Sequence, residues 1–314
     1  MKSFDVLVIG ELNVDIILDD IKGFPMIGKE ILANNLNVVL GSSSAIFASN
    51  LSSLGKSVAM VGLLGEDSFA DLIKKSLQHK KVNTDFVVTT KKYSTGLTIV
   101  MNYGMDRANV TFPGAMEHLS TADITDEMLL SSKHLHLSSI FLQKGIKNEA
   151  IELFKRAKKL GLTTSMDPQW DPAEDWDLES ERLLPHIDIW MPNVLEFKNI
   201  TGTDTIAAGI EKIKNCSNCI VIKDGVHGAH LYEKGKLTSK PAFLNSKVAD
   251  CIGAGDSFDA GFISEFVKGS SLERCVEVGN VMGAINTLEP GGTAAFDNIE
   301  SVRIKAQEKF EFIL

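Results

Sequence analysis

The pattern that most constrains this chain is an alternation of short β-rich runs with amphipathic stretches along most of its length. Val6–Ile9, Ser57–Val61, His134–Leu137, Thr163–Met166, Ile187–Trp190 and Ile220–Lys223 read as buried strands. Between them, Ile46–Leu54, Ser68–His79, Ile146–Leu160 and Ile206–Lys214 read as helices. In the third of these, Ile146, Ala150, Ile151, Phe154, Ala157 and Leu160 make one apolar face. Repeated β-α alternation predicts an α/β fold with a largely parallel central sheet and helices on both faces. Ligands of such sheets sit at the carboxyl ends of the strands. Two stretches, Asn13–Leu40 and Thr95–Phe112, are strand-like with no helix between strands, and carry turn signals at Gly23/Pro25/Gly28 and Tyr103-Gly104. They predict a small antiparallel sheet standing off the main one. No linker, repeat or low-complexity segment divides the chain. Residues 1–314 therefore read as one domain carrying a small β layer from about 13–40 and 95–112.

The chemistry concentrates in Asp250-Cys251-Ile252-Gly253-Ala254-Gly255-Asp256-Ser257-Phe258-Asp259-Ala260-Gly261. Gly253, Ala254 and Gly255 form a small-residue turn, and a helix with Phe258, Phe262 and Phe266 follows. The first turn of a helix has N–H groups without intrahelical partners and the positive end of the macrodipole. Glycines let an anion approach those groups closely. Asp256 stands at the lip of this site, where a carboxylate would repel phosphate unless it takes a proton from an attacking hydroxyl. That combination points to phosphoryl transfer to an alcohol with Asp256 as base. The plainer alternative is an N-capping Asp after a glycine-rich loop.

A second element, Met191-Pro192-Asn193-Val194-Leu195-Glu196-Phe197, follows a strand directly. It puts Asn193 and Glu196 on one helix face, where they suit either a capping box or hydrated Mg²⁺. A third, Lys223-Asp224-Gly225-Val226-His227-Gly228, joins a strand to the run His230-Leu231-Tyr232 and by itself reads as a turn between antiparallel strands. Near the N-terminus, Gly10-Glu11-Leu12-Asn13-Val14-Asp15 leaves the first strand. Asn13 and Asp15 there could bond vicinal hydroxyls or simply form an exposed loop pair. Gly55-Lys56-Ser57 is not a P-loop, because Asn50 stands where its first glycine is needed and a strand follows.

These segments resemble the pfkB, or ribokinase-like, carbohydrate kinases, whose signature is usually written D-T-x-G-A-G-D-x-F-x-A-G. Cys251 stands where Thr is usual, and the Gly-Ala-Gly-Asp core is intact. The resemblance runs from about Val6 to Gly292. It implies a ribokinase-like fold in which the small sheet is a lid over the sugar. It also implies ATP and Mg²⁺ as cofactors, with Glu196 holding Mg²⁺ through water, and leaves a monovalent cation open. Gly253, Ala254 and Gly255 become the anion hole. Asn193, Glu196, Lys223, Gly225, Gly228 and Asn280 fall on the nucleotide side, Asn280 at a position that borders adenine in relatives or is merely solvated. Asn13, Asp15, Gly41, Ser42 and Arg107 fall on the acceptor side. Ser42 replaces the second glycine of a Gly-Gly pair, and Ile46 takes the place of a sugar-touching Asn. Met166-Asp167-Pro168-Gln169-Trp170 resembles the family's D-P-N-x-R segment, and Asp171 stands where Arg is usual, which weakens any phosphate-binding role there. The implied reaction is phosphorylation of a hydroxymethyl group on an unphosphorylated sugar or polyol. A nucleoside kinase and a catalytically silent sugar or nucleotide sensor are the alternatives.

Composition narrows the partners. Thirty-two basic against 41 acidic residues give a net charge of −9, which disfavours nucleic acid and anionic membranes. The apolar run after Asp5 is too short for a signal segment, and no run suits a membrane span, so a cytoplasmic location is expected. Cys216 and Cys219 form an isolated C-x-x-C leading into Ile220-Val221-Ile222, better explained by burial than by metal. An exposed apolar lid would offer a surface for a homodimer.

Overall fold

A computed structural model of the chain describes residues 2–103 and 106–314. Gly104, half of the Tyr103-Gly104 turn signal, lies outside the described residues. The strands are β1 (Phe4–Ile9), β2 (Asn13–Asp19), β3 (Asn35–Leu40), β4 (Val58–Gly65), β5 (Val87–Thr90), β6 (Gly96–Tyr103) and β7 (Asp106–Phe112). They continue with β8 (Ser132–Ser138), β9 (Thr163–Asp167), β10 (Ile189–Trp190), β11 (Cys219–Lys223), β12 (Ala229–Glu233) and β13 (Lys236–Lys240). The main sheet has the order β13-β12-β11-β10-β9-β8-β1-β4-β5. It is parallel from β5 through β11, and β12 and β13 finish it as antiparallel strands.

β1 shows why the strands read as unbroken apolar runs. Val6 and Val8 pack into the core on one face, with the helices Ser43–Ser53, Ala254–Phe266 and Leu272–Asn286. Leu7 and Ile9 pack into the core on the other, with the helix Ala150–Lys159. All four side chains are buried, each worth about 1.5–3 kcal/mol when removed from water. A strand covered on both faces has no polar side to alternate with. Among the described residues, no helix is long and apolar enough to cross a membrane.

The second sheet has the order β3-β2-β6-β7. It was expected to be antiparallel, yet its central pair is parallel, with Asp15 opposite Thr98. The cause lies in the main sheet. β2 follows β1 and β6 follows β5, two strands of the same parallel run, so both leave its carboxyl edge in the same direction.

Two further expectations need correction. The helix foreseen over 146–160 is two pieces, Lys144–Lys147 and Ala150–Lys159. Gly145 in the first piece lies so close to the Leu119 backbone that a side chain there would collide with it, which fixes that turn separately. The strand foreseen over 187–190 is only Ile189–Trp190, because Pro185 initiates a 3₁₀ turn over Leu184–His186.

Candidate active site

The helix Ala254–Phe266 starts at Gly253, whose φ of 74° is the left-handed conformation glycine tolerates. A Cβ at Gly253 would also sit 2.7 Å from Gly292 Cα. No side chain caps this helix, and among the described residues the N–H groups of Gly255 and Asp256 have no acceptor. Uncapped donors on a positive dipole end fit an anion. The loop before them is tied from several sides. Asp250 accepts from the N–H groups of Ile252 and Gly291, both at 2.7 Å. Asn286 donates to the Ile252 carbonyl at 2.6 Å and accepts from Ser257 at 2.9 Å. Asn50 donates to Ser257 at 2.9 Å and to the Gly292 carbonyl at 2.8 Å.

Asp256, in the first turn, is 8% exposed. Its Oδ1 accepts from Ser43 Oγ and from Gln169 Nε2 at 3.0 Å. Burial and then the Asp167 carboxylate push its pKa up to about 6, against the pull of Ser43, Lys223 and Arg107. Asp167 ends β9, fully buried, and its Oδ2 accepts from Lys223 Nζ at 2.7 Å and Gln169 Nε2 at 2.6 Å. Lys223 also meets Asp259 Oδ2 at 3.0 Å. Burial opposes the Lys223 charge, but Asp167, Asp259 and Glu196 overcome it and push its pKa up. Lys223, foreseen on the nucleotide side, thus lies in a buried ionic cluster, with its Nζ 3.6 Å from where a Gly255 Cβ would be.

The capping box at Asn193 and Glu196 is fully formed. Glu196 N–H donates to Asn193 Oδ1 at 2.9 Å, and Asn193 N–H donates to Glu196 Oε2 at 2.8 Å. Asn193 also bridges to Lys223, which places this helix start beside the carboxyl end of β11. Burial, then Asp167, push the Glu196 carboxyl well above the usual range. A buried, repelled carboxylate is the kind of group a cation relieves. A Mg²⁺ that keeps most of its waters relies on one or two carboxylates, which Glu196, with Asn193 beside it, would fit.

The hairpin between β11 and β12 holds Gly225 at φ 52° and Gly228 at φ 97°. A Cβ on Gly228 would crowd the backbone of Pro241 and Ala242. Asn280 is only 7% exposed and donates to the Pro241 carbonyl at 3.1 Å, so its amide anchors the segment after β13. Cys219 is buried, its thiol pKa pushed up by burial.

Asp256 and Gly253 also border a cleft of about 950 Å³ lined by Asn13, Asp15, Ser42 and Arg107. Residues from both ends of the chain meet here because the second sheet overhangs the carboxyl edge of the first. Asn13 donates to Asp15 at 2.9 Å and to Thr98 Oγ1 at 3.0 Å, across the parallel β2–β6 pair. Burial pushes Asp15 up to about 6, although Asn13 and Arg107 pull the other way. Gly41 does not line the cleft. Its missing side chain leaves room for Asn13 and Asp15, since a Cβ would fall 2.8 Å from Asn13 Nδ2. Ser42 has φ 72° and ψ 119°, a sparsely populated region that costs about 1–3 kcal/mol for a residue with a side chain. It accepts from the Ala45 N–H at 2.9 Å and donates to the Glu11 carbonyl at 2.5 Å, capping the helix Ser43–Ser53. Ile46 lines the cleft and packs against Gly253 and Gly292.

Several lining residues escaped the sequence. Glu11 is buried and accepts from Ser44 and, at 3.0 Å, from Ser139. Burial pushes its carboxyl up to about 7 despite those bonds. Ser43 and Gln169 reach Asp256 from 213 and 87 residues away. The signals in the sequence were Glu11's place beside a strand end and Gln169's place in the segment resembling D-P-N-x-R. The aromatic lining comes from Phe141 and Trp170 in the main layer, while Tyr103 on the second sheet stacks on Phe24. Asp171, where relatives favour Arg, accepts from the N–H groups of Ala173 at 2.9 Å and Trp176 at 2.8 Å and so shapes its own loop.

Comparison with known proteins places this geometry. An ATP-dependent 6-phosphofructokinase of Thermoanaerobacterium thermosaccharolyticum is 25% identical over 309 residues, covering 96% of this chain and 94% of that protein. The structure of Arabidopsis thaliana ribokinase complexed with ribose and ATP superposes with a TM-score of 0.81 at 25% identity, covering 96% of this chain and 97% of that one. An E. coli protein designated ribokinase II, in complex with ATP and Mg²⁺, superposes with a TM-score of 0.84 at 21% identity, covering 97% and 99%. The fold is ribokinase-like. The pfkB family carbohydrate kinase model matches residues 3–299, and the chain belongs to that family.

Proposed function

We propose that the chain phosphorylates a hydroxymethyl group of an unphosphorylated sugar or polyol, with Asp256 as the base. The observation that carries this is the position of Asp256. One carboxylate borders the acceptor cleft and begins the uncapped helix whose N–H groups could meet a phosphoryl group. Bound Mg·ATP supplies the transferable phosphoryl group and part of its charge neutralisation. Asp256 takes the hydroxyl proton as the acceptor oxygen bonds to phosphorus and ADP leaves. The N–H groups over Gly253–Asp256 stabilise the charge on the phosphoryl oxygens. Asn193 and Glu196 hold the hydrated cation, and Gly225, Gly228 and Asn280 shape the nucleotide side. Asn13, Asp15 and Arg107 bond the acceptor hydroxyls, and the small sheet acts as a lid that excludes water.

Charge supports an unphosphorylated acceptor. Glu11, Asp15, Glu117, Asp171 and Asp256 line the cleft, against Arg107 and Lys144, and Lys144 is already paired with Glu117. A second reading, a nucleoside acceptor, draws on Phe141 and Trp170, which could face a planar base. The lid also offers a contact for a second copy of the chain, since Phe24, Ile27, Leu32, Leu36 and Val110 are exposed on it.

The test is Mg·ATP-dependent ADP release across pentoses, hexoses, sugar acids, polyols, sugar phosphates and nucleosides, with Asp256→Asn alongside. Release stimulated by one unphosphorylated sugar and lost in the variant supports the proposal. Stimulation only by sugar phosphates or nucleosides overturns the acceptor class, and ATP binding without release under any acceptor favours a sensor.

A further inference from the structure

We propose that Gln169 is a positioning residue for phosphoryl transfer, holding Oδ1 of Asp256 so that Oδ2 alone meets the acceptor hydroxyl. The inference rests on Asp256 being the base. One amide nitrogen, Gln169 Nε2, lies 3.0 Å from Asp256 Oδ1, 2.6 Å from Asp167 Oδ2 and 2.8 Å from Ser43 Oγ. Its two hydrogens can serve both carboxylates at once. Asp167 is in turn fixed by Lys223 at 2.7 Å, and Lys223 by Asp259 at 3.0 Å. A continuous file therefore runs from a buried ion pair to the base, Asp259 to Lys223 to Asp167 to Gln169 to Asp256.

The two oxygens of Asp256 are consequently unequal. Oδ1 accepts from Ser43 and Gln169, whereas Oδ2 has no hydrogen bond from any described residue and is not among the sealed polar atoms. Asp256 borders the cleft, so Oδ2 is the oxygen left for an incoming hydroxyl. The backbone of Gln169 points the same way. Its φ of 60° is a conformation few residues with side chains adopt, and strain of that kind persists only where surrounding contacts enforce it. Glycine would take that φ freely but would have no amide to reach across.

The charged groups facing Asp256 are Glu11 after β1, Asp15 on β2, Arg107 on β7, Asp167 on β9, Glu196 on the helix Val194–Thr201 and Lys223 on β11. All remain in a Gln169 variant, so a change in Asp256 titration reports the lost amide.

Two variants test the proposal, Gln169→Gly and Gln169→Glu, assayed with the acceptor found above. Their carboxyl groups are also titrated by ¹³C NMR in the free protein, which requires no acceptor. In Gln169→Gly, kcat is expected to fall about tenfold to a hundredfold with both KM values changed less than about threefold. The Asp256 titration moves upward, because a donor to the ionised form is gone. Gln169→Glu moves it further upward, because it adds a carboxylate beside two others. A folded Gln169→Gly with unchanged kcat and unchanged titration, while Asp256→Asn is inactive, overturns the role of Gln169 alone. Full turnover in Asp256→Asn instead removes the base, and this inference with it.

Discussion

Asp256 and Glu11 are carboxyl groups of one cleft whose surroundings hold them near neutrality for different ends. Asp256, at about 6, is ionised at pH 7 and ready to take a proton, so kcat/KM should fall tenfold per unit below about pH 6. A rate profile flat down to pH 4 would contradict that assignment. Glu11 touches no reacting atom in this account and is bonded to Ser44 and Ser139. Folding raises its pKa to about 7, so the folded chain binds this proton more tightly than the unfolded one. Its stabilising contribution is therefore complete at acid pH and lost as pH rises through 7. Relative to Glu11→Gln, the wild type should lose about 3 kcal/mol of unfolding free energy between about pH 4 and pH 8, read from denaturant curves. A constant difference across that range would show Glu11 ionising normally. Gln169 stood in the segment that resembles D-P-N-x-R and Glu11 beside a strand end, but what these two and Ser43 do was not legible, because each acts through contacts far away in sequence, 126 residues for Ser43 and Gln169. No local spacing encodes such a contact.

At the scale of elements, the helix beginning at Asn193 makes the capping box, and the cation role of Glu196 belongs to our proposal. The capping carboxylate is also buried beside Asp167 and Lys223. The two roles separate experimentally. Asn193→Ala should lower unfolding free energy by about 1 kcal/mol through loss of the cap. Glu196→Gln should raise the Mg²⁺ concentration for half-maximal rate about tenfold or more. If Glu196→Gln alters stability but leaves the Mg²⁺ dependence untouched, only the cap remains. The strand–helix alternation was legible because buried parallel strands are apolar on both faces, as β1 shows. Elements shaped by tertiary contacts were not. Gly145 against Leu119 splits one expected helix, and Pro185 shortens one expected strand. The parallel β2–β6 pair follows from strand direction in a different sheet, which turn signals in the lid segments do not carry.

Across the whole molecule, the main sheet brings the loop after β1, the Asp167 end of β9 and the hairpin after β11 to one carboxyl edge. The helix Ala254–Phe266 closes that edge from the C-terminal part of the chain. The second sheet stands above it and exposes apolar side chains, and on our account a second copy covers them. Sedimentation should then give twice the chain mass for the wild type and the single mass for Leu36→Glu. A monomeric wild type at micromolar concentration would remove that contact. The signature around Asp256 was readable because a helix start left open to an anion takes small residues in a fixed local order. The acceptor was not, since Ser42 and Ile46 depart from the family pattern and the cleft is assembled from β2, β6, β7, the segments after β1, β3, β7, β8 and β9, and the start of the helix Ala254–Phe266.

The most direct measurement is the single-turnover rate of Asp256→Asn with saturating Mg·ATP and the acceptor that supports wild-type turnover, together with ATP affinity. The account predicts transfer slowed by about two to four orders of magnitude with ATP affinity within threefold. Transfer at the wild-type rate would contradict it.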